Sequence, residues 1–123
     1  MEGVWKPDKD VGGKAFDLVE KLHENLERLK AHNGISGYIL RGSKSASVDL
    51  KDPNKIIEYA ALSSTTLESA EEISRAMGLG NINRVVLEGK NVKILALTFS
   101  DYRLSIFMDK SIDPNEICAE LGL

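Results

Sequence analysis

The sequence has one cysteine, Cys118, and two histidines, His23 and His32. A lone cysteine closes no intramolecular disulfide, so the chain suits a reducing compartment and must be held by its apolar core. A thiol nucleophile needs a basic neighbour, whereas Cys118 stands between Glu116 and Glu120. It reads as a small apolar residue of a terminal helix. The two histidines fall on one predicted helix, half a turn out of phase, so they cannot share a metal ion. Aromatic residues make up 6% of the chain and do not interleave with Lys and Arg, as a stacking platform for single-stranded nucleic acid requires. No apolar run approaches the roughly 20 residues that span a bilayer, and residues 1–13 lack the apolar stretch of a signal peptide. Neither sign of charge dominates: 16 basic against 19 acidic residues give no electrostatic reason to expect nucleic acid or an anionic membrane. The expectation is a cytoplasmic protein with no membrane insertion, no nucleic-acid partner, no metal and no cofactor.

What is present is one ordinary domain. The 123 residues are 42% hydrophobic and 28% charged, which places the chain among globular domains and apart from disordered ones. Residues 1–13 are rich in Gly, Lys and Asp and read as a flexible N-terminal arm, with Trp5 packed on the edge of the domain. The domain itself is expected over 14–123.

Lys14 to His32 predicts a helix. Ala15, Val19, Leu22, Leu26 and Leu29 form one stripe about 100° wide, with Leu18 at its margin, and Asn33-Gly34 stops it. Ile35 to Arg41 and Ser45 to Leu50 predict a hairpin. Its second strand alternates Ala46, Val48 and Leu50 against a wet face of Ser45, Ser47 and Asp49. Asp52-Pro53 opens a second helix that runs to about Met77 and ends at Gly78. Its apolar residues Ile56, Tyr59, Ala60, Leu62, Leu67, Ala70, Ile73 and Met77 spread over roughly 160°, wider than the roughly 100° that one sheet face requires. The excess predicts a second neighbour, and the small residues Ala60, Ser63 and Ala70 would let it come close. Ile82 to Glu88, Val92 to Phe99 and Tyr102 to Met108 predict an antiparallel meander, with the first of them an edge strand. Asp113-Pro114-Asn115-Glu116 caps a final helix. The order α-ββ-α-βββ-α implies an α+β fold: a five-stranded antiparallel sheet, the second helix on one face and the first and last on the other.

Chemistry-bearing motifs are absent or broken. Gly37 to Ser45 comes within one residue of a phosphate-binding GxxxxGK[ST] loop, but Ser43 breaks the spacing and a strand follows in place of a helix. Ser63-Ser64-Thr65-Thr66 has no histidine near it in sequence and no GxSxG turn around it. Glu68, Glu71 and Glu72 read as a solvated face, with Glu71 able to pair with Arg75.

Three stretches are similar to the roadblock / dynein light chain 7 family. Gly34-Ile-Ser-Gly-Tyr-Ile-Leu40 resembles its first strand. Ala60 to Leu67 through Ala76-Met-Gly-Leu-Gly80 resembles its second helix and glycine stop. Val92 to Asp109 resembles its closing hairpin. One departure stands out: Arg41-Gly42-Ser43-Lys44 turns the first hairpin where the family often has an acidic-Gly pair. The resemblance implies a roadblock-like (profilin-like) sandwich. It also implies a non-enzymatic homodimer that regulates or scaffolds a Ras-like small GTPase. Family dimers pair their second helices and join edge strands. Carried onto this chain, that interface comprises Tyr59, Ser63, Thr66, Ala70, Ile73 and Met77, with Arg84 and Val86 on the third strand. The alternative is a small-molecule sensor of the PAS or profilin-like kind, which requires an internal apolar pocket.

Overall fold

The computed structural model describes residues 13–43, 46–99 and 101–122, with side chains over 20–43, 46–98 and 101–122. Residues 1–12 of the expected arm, Trp5 among them, and the side chains of Ala15, Leu18 and Val19 lie outside the described residues, while Gly13, expected in the arm, begins the first helix. The elements run α1 (Gly13–Leu29), β1 (Ile35–Arg41), β2 (Ala46–Leu50), α2 (Ile56–Met77), β3 (Arg84–Glu88), β4 (Val92–Phe99), β5 (Tyr102–Asp109) and α3 (Pro114–Leu121). All neighbouring strands are antiparallel and stand in the order β2-β1-β5-β4-β3, so β5 is central and β3 and β2 are the edges. The predicted element order and strand direction are those observed.

The termini of the elements follow local chemistry. Asp113 accepts a hydrogen bond from the Asn115 amide and Pro114 takes the first turn of α3. Gly78 ends α2 in the left-handed conformation, where its amide donates to the Ser74 carbonyl. Asp52 caps as expected, but what it opens is a short 3-10 turn, Pro53–Lys55, which leads into α2 at Ile56. Helix α1 stops three residues before His32, because the amides of Ala31 and His32 fold back onto Arg28 and Leu29 as turns. Strand β3 begins at Arg84, two residues later than predicted, because Thr98 captures the carbonyls of both Ile82 and Asn83.

The sheet divides the core in two. On one face α1 and α3 pack Leu22, Leu26, Leu29, Ile117 and Leu121 over Tyr38, Leu40, Leu95, Leu104 and Ile106. Cys118 is buried in the same cluster. On the other face α2 covers a smaller cluster of Ile39, Leu50 and Phe107, with Ile56, Tyr59, Ala60 and Ile94 around it. A strand apolar on both sides needs cover on both sides, and β5 has it: Leu104, Ile106 and Met108 point to one layer and Phe107 to the other.

Two of the three residues of the expected wet face of β2, Ser47 and Asp49, are not wet; Ser45 lies outside the described residues. Ser47 is 9% exposed and Asp49 is half-buried. Helix α1 meets them with polar residues: Ser47 Oγ lies 3.3 Å from His23 Nε2, and Lys30 donates to Asp49.

Candidate protein-interaction surface

Helix α2 presents three sides. Its inner side is built from small and hydroxyl-bearing residues. Ser63, Thr66, Leu67 and Ser74 are buried, and the hydroxyls of Ser63 and Thr66 donate to Ala60 O at 3.0 Å and Leu62 O at 2.7 Å. These short side chains bond back to their own helix and so satisfy their own polar atoms. Tyr59 supplies the aromatic contact, stacked on Phe107 with ring centroids 4.5 Å apart and planes at 30°, and Ile56 and Leu67 add aliphatic ones.

A second side reaches toward β1 and β5. Arg41 Nη1 donates to Ser64 Oγ at 3.0 Å, and Arg103 Nη2 donates to Glu71 Oε1 at 3.2 Å. Glu71 therefore pairs across to the sheet, and the expected Glu71–Arg75 pair along the helix is not the one formed. Arg103 lies on the α2 face of β5, within hydrogen-bond reach of Glu71.

The third side, opposite, faces the β3 edge and is apolar and bare. Leu62, Ile73 and Met77 are 46%, 56% and 68% exposed. They follow one another along one flank at helical spacing. On the edge strand, Leu87 points to the same face of the sheet as α2 and is 47% exposed. Scattered exposed leucines are ordinary, whereas apolar residues aligned along one helix flank, on the same sheet face as an edge-strand leucine, make a candidate contact surface.

The expected interface residues fall into distinct groups. Ile73 and Met77 lie on this bare flank, and Ala70 is half-buried beside them. Tyr59 is engaged with Phe107. Ser63 and Thr66, 4% and 9% exposed, are turned inward, so Ser63 is part of the helix–sheet joint and not of the outer flank. Arg84 and Val86 are on the edge strand but point to the other face: Arg84 Nη2 donates to Asn115 Oδ1 of α3 at 2.6 Å, and Val86 packs on the α1–α3 core. Leu62 and Leu87 were not among the expected interface residues. The alternation of β3 signals Leu87, since it falls out of phase with Val86.

Under α1, Tyr38 is 1% exposed and its hydroxyl donates to Glu27 Oε1 at 2.8 Å, while Lys30 stands 3.5 Å from Glu27 and bonds Asp49. Burial, and then the Glu27 carboxylate, push the Tyr38 phenol well above its ordinary 10.0. The hydrogen bond to Asp49 raises the Lys30 ammonium. Both groups hold their protons more tightly folded than unfolded. Their contribution is thus complete below about pH 10 and declines as pH rises through the folded values. Urea melts between about pH 8 and about pH 11 are expected to show stability falling above about pH 10, with a shallower fall in Tyr38→Phe. An equal fall in both proteins would remove Tyr38 from the account. Elsewhere, an open cleft of about 800 Å3 lies between the C-terminal end of α2, residues 80–83 and the β4–β5 connection, with a mostly polar lining that includes Arg75, Asn81, Asn83 and Arg103. Among the described residues no cluster of His, Cys, Asp and Glu could hold a metal ion, and no helix is long and apolar enough to cross a membrane.

A five-stranded antiparallel sheet with one long helix on one face and two on the other, in the order α-ββ-α-βββ-α, is the roadblock/LC7 fold. A roadblock/LC7 domain from Streptomyces avermitilis superposes with a TM-score of 0.66 at 18% identity, over 80% of this chain and 87% of that one. The gliding protein MglB from Thermus thermophilus does so with a TM-score of 0.63 at 14% identity, over 98% of this chain and 89% of its own. Myxococcus xanthus MglB gives 0.67 at 11%, over 97% and 86%. No protein-family model and no curated protein matches the sequence.

Proposed function

We propose that the chain is a homodimeric interaction module that regulates or scaffolds a Ras-like small GTPase, without catalytic chemistry of its own. One observation carries the dimer: the bare apolar flank of Leu62, Ile73 and Met77, on the same face of the sheet as Leu87 of an edge strand that, among the described residues, has a neighbour on one side only. A second copy set against it about a two-fold axis would cover both flanks at once and extend the sheet through β3, an arrangement that closed symmetry favours. The roadblock fold supports the reading, and the family resemblance of the sequence implies the GTPase. One MglB of the same fold has been solved in a tetrameric arrangement. The sensor alternative requires an enclosed apolar pocket, whereas the cleft at the end of α2 is open and mostly polar.

Light scattering after size exclusion tests the dimer. The wild type is expected at twice the 13.5 kDa of one chain. Ile73→Asp is expected to be a folded monomer, because an unpaired carboxylate buried in an apolar interface is costly. Ile73 is more than half exposed in the single chain, so circular dichroism should show the variant fold intact. A monomeric wild type at micromolar concentration would refute the dimer. A dimer that neither co-elutes with a Ras-like GTPase of the same cell nor changes its hydrolysis rate would remove the GTPase.

A further inference from the structure

The joint between α2 and the sheet holds an arrangement that neither the dimer nor the GTPase reading uses. Arg41 and Arg103 are direct partners in the β1–β5 register and point to the α2 side. Like charges set opposite each other across two strands repel and are normally selected against or neutralised. Here the compensation is incomplete among the described residues: Arg103 meets the Glu71 carboxylate, whereas Arg41 meets the neutral hydroxyl of Ser64.

One register step inward, Ser105 pairs with Ile39 on the same face. Ser105 is 3% exposed, and among the described residues its hydroxyl has no hydrogen-bond partner. A buried hydroxyl without a partner is uncommon and calls for an occupant. Ser105, Arg41, Arg103 and Ser64 border one recess of about 10 Å3 whose lining contains no carboxylate. That is room for about one oxygen atom. At Arg103 the recess adjoins the 800 Å3 cleft, which is within the size range of small-molecule sites.

We propose that this recess is an oxyanion site for a small phosphomonoester. One phosphate oxygen enters and accepts from Ser105. The remaining oxygens sit at the mouth between the guanidiniums of Arg41 and Arg103, within reach of Ser64. The body of the ligand lies in the cleft toward Arg75. Each guanidinium carries five N–H donors and spends few of them in the free protein, so both can turn to the anion without abandoning Ser64 or Glu71. Phosphate is favoured over a carboxylate because its oxygens diverge toward three donors at once, two cationic and one buried. The inference is independent of the dimer, since the recess lies on the opposite flank of α2.

Amide NMR titration with inorganic phosphate, then with glycerol 3-phosphate, against sodium chloride at matched ionic strength and pH, tests it. Saturable shifts are expected at Arg41, Ser64, Arg103 and Ser105 with both phosphates and not with chloride. Arg41→Gln is expected to weaken binding about ten-fold or more and Ser105→Ala a few-fold, as loss of charged and neutral donors implies. Arg41 is exposed and Ser105→Ala keeps the backbone, so both variants should fold, which unchanged spectra outside the site would show. Shifts that match chloride, or that survive unchanged in Arg41→Gln, would overturn the site and leave a single water in the recess. Binding by a phosphoserine peptide, with none by either small phosphate, would overturn the small-molecule assignment.

Discussion

Gly37→Ala is expected to lower the melting temperature by roughly 15 °C, a loss of about 3–5 kcal/mol for a domain of this size. Gly37 sits inside β1 at a φ of +147°, just past an irregularity where the pairing with β5 shifts between Ile35 and Gly37. A β-bulge crowds one strand against its neighbour. Here a Cβ on residue 37 would lie 2.2 Å from the carbonyl oxygen of Asp49 and 2.7 Å from the Leu50 Cα. Both are backbone atoms of the paired strand, so relief requires β2 to move away, and with it the Lys30–Asp49 pair. Gly78→Ala is the internal control. Gly78 also has a positive φ, +66°, but nothing lies within 4 Å of its added Cβ, so only the backbone preference of about 1 kcal/mol is lost. Thermal denaturation of the two variants side by side separates the causes. A Gly37→Ala protein that melts within a few degrees of Gly78→Ala would contradict the close approach of β1 and β2.

Phe107→Ala is expected to cost a similar amount, about 3–5 kcal/mol, with its damage concentrated in one layer. Phe107 is 0% exposed on the central strand and is the large side chain of the α2-side core, where Tyr59 stacks on it and Leu50, Ile56 and Ile94 surround it. Its removal leaves Tyr59 with no ring to rest on and takes the largest buried side chain out of the α2-side cluster. Hydrogen exchange should then accelerate in α2 far more than in α1 or α3. Phe107→Leu, which keeps most of the volume, should recover most of the loss. An even acceleration across all three helices, or a loss below about 1 kcal/mol, would mean that α2 is held by something other than this aromatic pair.

Much of this architecture is legible in the sequence because it is written in local chemistry. Asp113-Pro114 and Gly78 mark helix ends by the hydrogen bonds and backbone angles they permit. The alternation of β5, with Phe107 out of phase with Leu104, Ile106 and Met108, declares cover on both faces. What fails to show is whatever depends on the partner of a residue. Ser47 and Asp49 read as solvent-facing because a strand's period separates polar from apolar and cannot tell water from the His23 and Lys30 of another element. Glu71 reads as a helix-surface partner of Arg75 because Arg103, the partner it takes, is distant in sequence. The helix wheel of α2 likewise gives the width of its apolar arc and not the assignment within it. Ser63 goes inward because it shares the centre of the arc with Leu67 and Ser74, and Leu62 is left out because it stands at the arc's margin, a choice made by position and not by hydrophobicity.

The two faces of the sheet are unequally bonded. Among the described residues, fifteen buried ones, mostly leucines and isoleucines, form the cluster under α1 and α3, while α2 rests on a smaller one in which serines, a threonine and Ala60 stand beside Ile56, Leu67 and one aromatic stack. Apolar area sets most of the cohesion between layers, so α2 is the layer that opens at least cost in a solitary chain. Whatever covers Leu62, Ile73 and Met77 binds the closed layer and not the opened one. By mass action it therefore acts as the missing fastening. The melting temperature of this protein should accordingly read as a gauge of its company, rising with the concentration of whatever occupies that flank and levelling off once every copy is covered.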